Sequence, residues 1–123
     1  MTLFFVALGG ALGAAARYLT VVAAARAFGA GFPWGVALAN VAGSVAMGVA
    51  AALILERAGD PRLAAFLMPG FLGGFTTFSA FSLDAARLME DGRLGAAAIY
   101  VGGSVALAVL GLFAGLAVGR ALA

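Results

Sequence analysis

The sequence of 123 residues contains no cysteine and no histidine, and only 10% of its residues are charged. Without cysteine there is no disulfide or thiolate chemistry, and without histidine the usual metal ligand and general base are missing. All seven basic residues are arginines, and they are scattered along the chain. These absences argue against catalysis, and we expect neither an enzyme nor a nucleic-acid-binding protein.

Apolar residues dominate the chain, with 65% hydrophobic residues and a mean hydropathy of +1.16. A soluble domain carries about 25% charged residues. The composition therefore predicts a multi-pass integral membrane protein that is surrounded by lipid, and we expect it in the cell (inner or plasma) membrane. No basic residue precedes Arg17, whereas a secretory signal places its positive charge ahead of the apolar run. We expect the first apolar segment to be retained as a span.

Four apolar segments, separated by short loops rich in glycine, proline or charge, predict an all-α membrane protein. Each segment reaches the roughly 20 residues needed to cross a bilayer. The predicted spans are Leu3–Ala27, Trp34–Leu55, Leu63–Met89 and Leu94–Leu122. No linker or internal repeat divides the chain, so we expect one four-helix transmembrane domain over residues 1–123.

The third predicted span contains residues that interrupt a helix. Pro69 clashes with the preceding turn, and Gly73 and Gly74 weaken helical structure. Four hydroxyl residues follow, which are Thr76, Thr77, Ser79 and Ser82. Lipid cannot satisfy the backbone groups that a broken helix leaves free, so such a break needs cover from protein or water. We predict a break near the centre of this span, and a broken span indicates a functional site.

The arginines are divided equally between the two sides of the membrane. Four spans place both termini on one side, with three arginines on that side and three on the other, and Arg17 is left out as embedded. The two groups are Arg57, Arg62 and Arg120 against Arg26, Arg87 and Arg93. Since an arginine excess normally sets orientation, this balance favours neither orientation. A chain that inserts both ways could form an antiparallel dimer, which is a hypothesis from charge balance alone. The alternative is that approximate span ends distort the count.

Glycines at a spacing of four residues form stripes on two of the predicted helices. One stripe contains Gly9 and Gly13, and the other contains Gly111, Gly115 and Gly119. Small residues at this spacing let helices approach closely in lipid. The pattern fits either packing within the chain or dimerisation.

Two polar residues lie inside predicted spans. Asn40 offers two donors and one acceptor, which fits either a hydrogen bond between helices or a pore-lining donor for an anion. Arg17 lies some fourteen residues into the first predicted helix. Its guanidinium could hold an anion near a pore mouth, or reach the interface beside Tyr18.

Phenylalanines alternate with hydroxyl residues around the predicted break. Phe78 and Phe81 are three residues apart, and a ring edge can face an anion without offering a full charge. Tyr100 and Ser104 share one face of the fourth predicted helix and offer further donors or simple packing. Apart from Asp84, no span interior contains a carboxylate, which disfavours a proton-coupled carrier.

The chain resembles the Fluc/CrcB family of small fluoride channels over essentially its whole length. The most specific match is Gly73-Gly74-Phe75-Thr76-Thr77-Phe78-Ser79-Ala80-Phe81, supported by Gly9 to Tyr18, by Pro33-Trp34-Gly35 and Asn40 to Ser44, by Tyr100 and Ser104, and by Gly119-Arg120. One departure is Val36, where the family often has threonine or serine. Ala80 replaces a frequent threonine, which we expect to be tolerated.

The resemblance implies an antiparallel, dual-topology homodimer with two pores that export fluoride passively. By position, it implies a fluoride path lined by Asn40, Phe78, Phe81 and Ser104, with Tyr100 beside it and Arg17 near the aqueous vestibule. It also implies a structural sodium ion bound by the backbone carbonyls of Gly73 and Thr76 at the dimer centre. The alternatives are a small multidrug-type exporter, which would want an embedded glutamate in its first helix, and a structural subunit that conducts nothing.

Overall fold

Helices make up nearly the whole chain, and the computed structural model, which describes residues 1–123, contains no strand. The α-helices are α1 (Thr2–Phe28), α2 (Trp34–Ala50), α3 (Pro61–Ala65), α4 (Gly73–Phe75), α5 (Ser79–Glu90) and α6 (Leu94–Leu122). Two wider π-helical turns, Ala51–Leu55 and Phe66–Leu72, continue α2 and join α3 to α4.

Together these elements form four stretches that are long and apolar enough to cross a membrane. They are Thr2–Phe28, Trp34–Leu55, Pro61–Glu90 and Leu94–Leu122. The predicted all-α protein with four spans is confirmed, and the chain is a multi-pass membrane protein. The third span begins before its predicted start because the carboxylate of Asp60 accepts a 2.8 Å hydrogen bond from the Arg62 N–H and Pro61 occupies the first turn. Both are typical of helix starts.

Non-helical backbone in the third span lies just after the helix-weakening residues, among the hydroxyl residues that follow them. Pro69 lies within the π-helical turn, where the wider backbone accommodates its ring. Gly73 keeps helical angles (φ −63°, ψ −36°). Thr76 is extended (φ −85°, ψ 154°), and the helix resumes at Ser79. We call residues 76 to 78 the break.

The first half of the third span packs directly on α1. A Cβ atom added at Gly9 would lie 2.2 Å from the Phe66 carbonyl oxygen, and one at Gly13 would lie 2.0 Å from that of Phe71. Side chains at these positions would clash with backbone, so only glycine allows the contact. The register of these contacts shows that the two segments run in the same direction.

The α2 helix also packs closely on α6 through glycines at the contact. A Cβ atom added at Gly48 would lie 2.2 Å from the Leu112 carbonyl oxygen, and one at Gly115 would lie 2.1 Å from that of Val45. Both glycine stripes noted in the sequence therefore serve packing within one chain. Large apolar side chains such as Leu110 and Phe113 remain exposed on the outside of α6, as a lipid-facing surface requires.

Two arginines tie the ends of the spans together. Arg120 donates bidentate hydrogen bonds of 3.0 and 2.7 Å to Glu56, and Arg93 donates to the Gly31 carbonyl at the other end of the bundle. The Arg120 guanidinium lowers the pKa of Glu56 below its ordinary value. Each contact joins two chain segments that the sequence count placed on the same side of the membrane.

Candidate functional site

Asn40 on α2 holds the break through both polar groups of its side chain. Its Oδ1 accepts a 2.7 Å hydrogen bond from the Thr77 N–H, and its Nδ2 donates a 3.0 Å bond to the Thr77 carbonyl. One side chain thus satisfies both backbone groups of a non-helical residue at membrane depth, which lipid could not do. Ser44 donates to the Asn40 carbonyl at 2.7 Å, one helical turn further along α2.

Arg17 on α1 satisfies a second group beside the break. Its Nη1 donates a 3.0 Å hydrogen bond to the Gly74 carbonyl, whose ordinary helical partner would be the Phe78 N–H. Arg17 is half-buried, whereas neighbouring Tyr18 is 68% exposed. Arg17 therefore does more than reach for the interface, because it replaces a helical hydrogen bond that the break removes.

Two carbonyl oxygens at the break accept no hydrogen bond. The helical donor for Gly73 would be the Thr77 N–H, which instead binds Asn40. The Ala80 N–H, which could serve Thr76, instead donates to the Thr77 hydroxyl at 3.2 Å. None of the backbone bonds formed outside the helices ends on the Gly73 or Thr76 carbonyl. Both oxygens are therefore free to bind another group.

A cavity of about 450 Å³ lies beside the break, between α2, the third span and α6. We call it the uncharged cavity because none of its 13 lining residues is charged. These are Asn40, Gly43, Ser44, Met47, Gly73, Thr76, Thr77, Phe78, Phe81, Ser104, Val105, Ala108 and Leu112. Its wall combines amide and hydroxyl groups with apolar surface.

Most hydroxyls near this cavity are already used by the chain. Thr76 donates to the Leu72 carbonyl at 2.9 Å and Ser82 to that of Phe78 at 3.0 Å, each to the carbonyl four residues earlier, which is a common contact for hydroxyl side chains. Ser104 differs, because the residue is only 8% exposed and its hydroxyl bonds to no other group of the chain. Asn40 also retains one N–H, since only one of its two donors is used. The cavity thus offers two free neutral donors.

Aromatic rings line one side of the uncharged cavity. The ring centroids of Phe78 and Phe81 are 5.6 Å apart, and those of Phe81 and Tyr100 are 5.1 Å apart. Phe81 is buried at 7% exposure, whereas Phe78 is 77% exposed. Phe81 therefore forms part of the inner wall, and Phe78 lies at the open side.

Tyr100 stands behind Phe81 and connects the uncharged cavity to a second one. Its hydroxyl donates a 3.2 Å hydrogen bond to Asp84, which lines a cavity of about 300 Å³ toward the α1–α2 loop. We call this second space the charged cavity. Its charged lining residues are Asp84, Arg87, Asp91 and Arg93.

The structure gathers most, but not all, of the residues singled out in the sequence. Six line the uncharged cavity, namely Asn40, Gly73, Thr76, Phe78, Phe81 and Ser104. Tyr100 lies one side chain away, and Arg17 lies outside the cavity on the α1 side of the break. Sequence reasoning named Thr77 only as a hydroxyl residue and did not identify its backbone as the partner of Asn40. It also did not pair Asp84 with Tyr100, although Asp84 is the one carboxylate inside a predicted span.

This arrangement defines a class of protein: a four-span membrane protein with a neutral, donor-bearing cavity at a break in one span. The sequence model of the family described as "CrcB-like protein, Camphor Resistance (CrcB)" matches residues 4–116. The chain belongs to this family, as its sequence predicted.

Curated relatives match the chain over almost its full length. A protein of Cereibacter sphaeroides named "Fluoride-specific ion channel FluC" is 58% identical and covers 97% of this chain and 94% of its own. A protein of the same name from Rhodospirillum centenum is 57% identical, covering 94% and 92%. "Fluoride-specific ion channel FluC 2" of Nitrobacter hamburgensis is 54% identical, covering 99% of both chains. These names describe channels rather than enzymes, in agreement with the predicted absence of catalysis.

Proposed function

We propose that the protein is a passive fluoride-selective channel that exports fluoride across the cell membrane. The observation that carries this proposal is the uncharged cavity, which offers free neutral donors at membrane depth without any charged side chain. The names of the curated relatives support the same ion. No embedded glutamate lies on α1, so nothing favours a multidrug-type exporter.

Neutral donors suit an ion that must enter and also leave. Fluoride holds its water tightly, and a pore has to replace that shell while keeping each binding step weak. The free N–H of Asn40 and the hydroxyl of Ser104 supply donors of this kind. A guanidinium inside the cavity would bind the anion too strongly and slow its exit.

The two phenylalanines supply the remaining contacts with the ion. Ring edges carry partial positive charge, and Phe78 and Phe81 line the cavity one behind the other. Phe78, at the open side, meets the ion first, and Phe81 meets it at the inner wall. Tyr100 lies against Phe81 and fixes its position.

Arg17 has two roles in this proposal. It supports the break through the Gly74 carbonyl, and a guanidinium keeps further N–H groups when one is used. Those groups raise the local concentration of anions near the vestibule. The charge remains outside the uncharged cavity, so it attracts the ion without trapping it.

The free carbonyls of Gly73 and Thr76 suit a structural sodium ion. Hard cations prefer oxygen ligands, both oxygens lack a hydrogen-bond donor, and no group of three or more ligating acidic side chains offers a competing site. When bound, sodium would add positive charge at the break and crosslink the carbonyl groups that hold it.

We further propose that the protein works as an antiparallel, dual-topology homodimer. Two carbonyls are fewer than the six or so oxygens that hard cations commonly take, so a second copy would supply more ligands. Gly73 is exposed on the surface of the single chain, where a second copy can reach it. The equal division of arginines between the two sides allows both orientations.

Fluoride efflux from liposomes that contain the purified protein tests the proposed function. We expect rapid fluoride release without chloride release, measured in parallel on the same preparation. Retention of fluoride by vesicles that contain folded protein would contradict the channel proposal.

Native mass spectrometry in detergent tests the assembly separately. We expect a dimer in sodium and a larger monomer fraction when a bulky organic cation replaces sodium. A dimer that is equally stable without sodium would contradict the sodium site but not the channel.

A further inference from the structure

A single layer of side chains separates the uncharged cavity from the charged cavity. Val36, Phe81 and Tyr100 form this layer, and they are 6%, 7% and 1% exposed. Phe81 lines the uncharged cavity, Val36 lines the charged one, and the Tyr100 hydroxyl binds Asp84 on the charged side. An ion that crosses this layer therefore passes directly from one cavity into the other.

The row of aromatic rings continues through this layer and beyond it. The Phe32 ring stands edge-on to Tyr100, with centroids 5.5 Å apart and an interplanar angle of 82°. The Phe32 ring also packs against Trp34, with centroids 4.8 Å apart. Phe32 lines the charged cavity. Ring surfaces thus extend without a gap from Phe78 in the uncharged cavity to Phe32 in the charged one.

The loop that carries Phe32 is fixed at several points. Gly29 has a positive φ of 81°, which favours glycine, and Pro33 restricts the backbone after the ring. Arg93 donates to the Gly31 carbonyl from the α5–α6 loop. Phe32 is half-buried and packs against the Val36, Phe81 and Tyr100 layer. Its ring is therefore held over Tyr100.

We propose that the charged cavity is a second mouth of the ion path and that Phe32 is the residue at which this mouth narrows. The proposal rests on the proposed channel function. An anion leaves the uncharged cavity past Phe81 and Tyr100 and reaches water beside Phe32. Arg87 and Arg93 offset the charges of Asp84 and Asp91 there, so the mouth does not repel the anion.

The absence of native cysteine allows a direct test. Phe32→Cys would be labelled in detergent with a trimethylammonium methanethiosulfonate reagent, checked by intact mass and reconstituted for fluoride efflux. The matched control is Phe28→Cys, since Phe28 also contacts Trp34 but lines neither cavity. Gly31→Cys is a second probe, because a Cβ there meets nothing within 4 Å and the residue lines the charged cavity.

Labelling at position 32 or 31 should slow fluoride efflux by about tenfold, because it obstructs a narrow path. Labelling at position 28 should change efflux by less than about twofold. Unchanged efflux from fully labelled Phe32→Cys and Gly31→Cys would overturn the proposal, as would failure of the reagent to reach either cysteine. If the unlabelled wild type releases no fluoride, the channel function itself is overturned. Unchanged efflux after labelling of an active channel overturns only the proposed second mouth.

Discussion

The two cavities differ most in where the chain places its charges. The uncharged cavity is the larger, at about 450 Å³, and contains only neutral donors, carbonyls and apolar groups. The charged cavity, at about 300 Å³, contains two carboxylates and two guanidiniums. They are separated by one layer of buried side chains that includes Phe81 and Tyr100.

This difference separates neutral polar groups beside the break from charged groups near the loops. The charges of the charged cavity lie near the end of the bundle, where water screens them and lowers their cost. In the uncharged cavity, the donors are the amide group of Asn40 and side-chain hydroxyls. The predictions below change one cavity at a time, in order of decreasing expected effect.

Asn40→Asp should have the largest effect, because it places a negative charge in the uncharged cavity. The carboxylate repels anions and cannot donate to the Thr77 carbonyl, which Asn40 now binds at 3.0 Å. We expect fluoride efflux to fall about a hundredfold, equivalent to a barrier about 3 kcal/mol higher. Asp91→Asn, a charge change of the same size in the charged cavity, should alter efflux by less than about threefold. Similar losses in both variants would remove the distinction between the cavities.

Phe81→Ile should reduce efflux by about tenfold while leaving a folded protein, since an apolar side chain still occupies most of this buried position. The change removes a ring whose centroid lies 5.6 Å from that of Phe78 and 5.1 Å from that of Tyr100. Phe71→Ile is the control, because its ring stacks on Phe75 at 6.1 Å and lines neither cavity. Efflux measured at equal protein density compares the two, and equal losses would show that ring chemistry in the cavity is unimportant.

Gly43→Ala should have a moderate effect by moving α2 away from the break. The added Cβ would lie 2.3 Å from the Thr76 methyl and 3.3 Å from the Phe75 ring. We expect a stability loss of about 1–3 kcal/mol and efflux reduced several-fold. Gly102→Ala is the control, because a Cβ there meets nothing within 4 Å. Denaturation in detergent and efflux would be measured for both, and an unperturbed Gly43→Ala protein would contradict the observed contact.

Glu56→Gln should have the smallest effect, because the ion pair with Arg120 is exposed and lies far from both cavities. The pKa of Glu56 is lowered in the folded protein, so the pair contributes stability above the ordinary glutamate pKa of about 4.3. That contribution is lost as pH falls through the lowered pKa. The unfolding temperatures of wild type and variant should therefore become equal in acid. Fluoride efflux at neutral pH should be the same for both. Glu90→Gln, at an acid with no ion-pair partner, is the matched control and should leave the unfolding temperature at neutral pH nearly unchanged.

The spans were predictable because they depend on local composition. The second and fourth spans have the expected ends, Trp34–Leu55 and Leu94–Leu122, and the first differs by one residue at each end. The third span starts two residues early because Asp60 and Pro61 favour a helix start. Hydropathy alone determines most of this architecture.

The exact position of the break was not predictable from the third span itself. Pro69 and Gly73, the local helix breakers, lie in helical backbone, whereas Thr76 is extended. The reason is a residue on another helix: Asn40 provides alternative partners for the Thr77 backbone. The resemblance to the family implied that Asn40, Phe81 and Ser104 line one path, and they do line one cavity. The residue patterns alone did not imply this, because it depends on how α2 and α6 pack.

The bond between Asn40 and Thr77 has a consequence for synthesis. The chain emerges from the ribosome with its N-terminus first, so α2 is in the membrane before the third span arrives. The amide that satisfies the Thr77 backbone is therefore already present when that backbone leaves water. A circularly permuted gene that encodes the third span ahead of α2 would deliver the segment without this partner. Its insertion yield should be lower, even though the finished protein would contain every native contact.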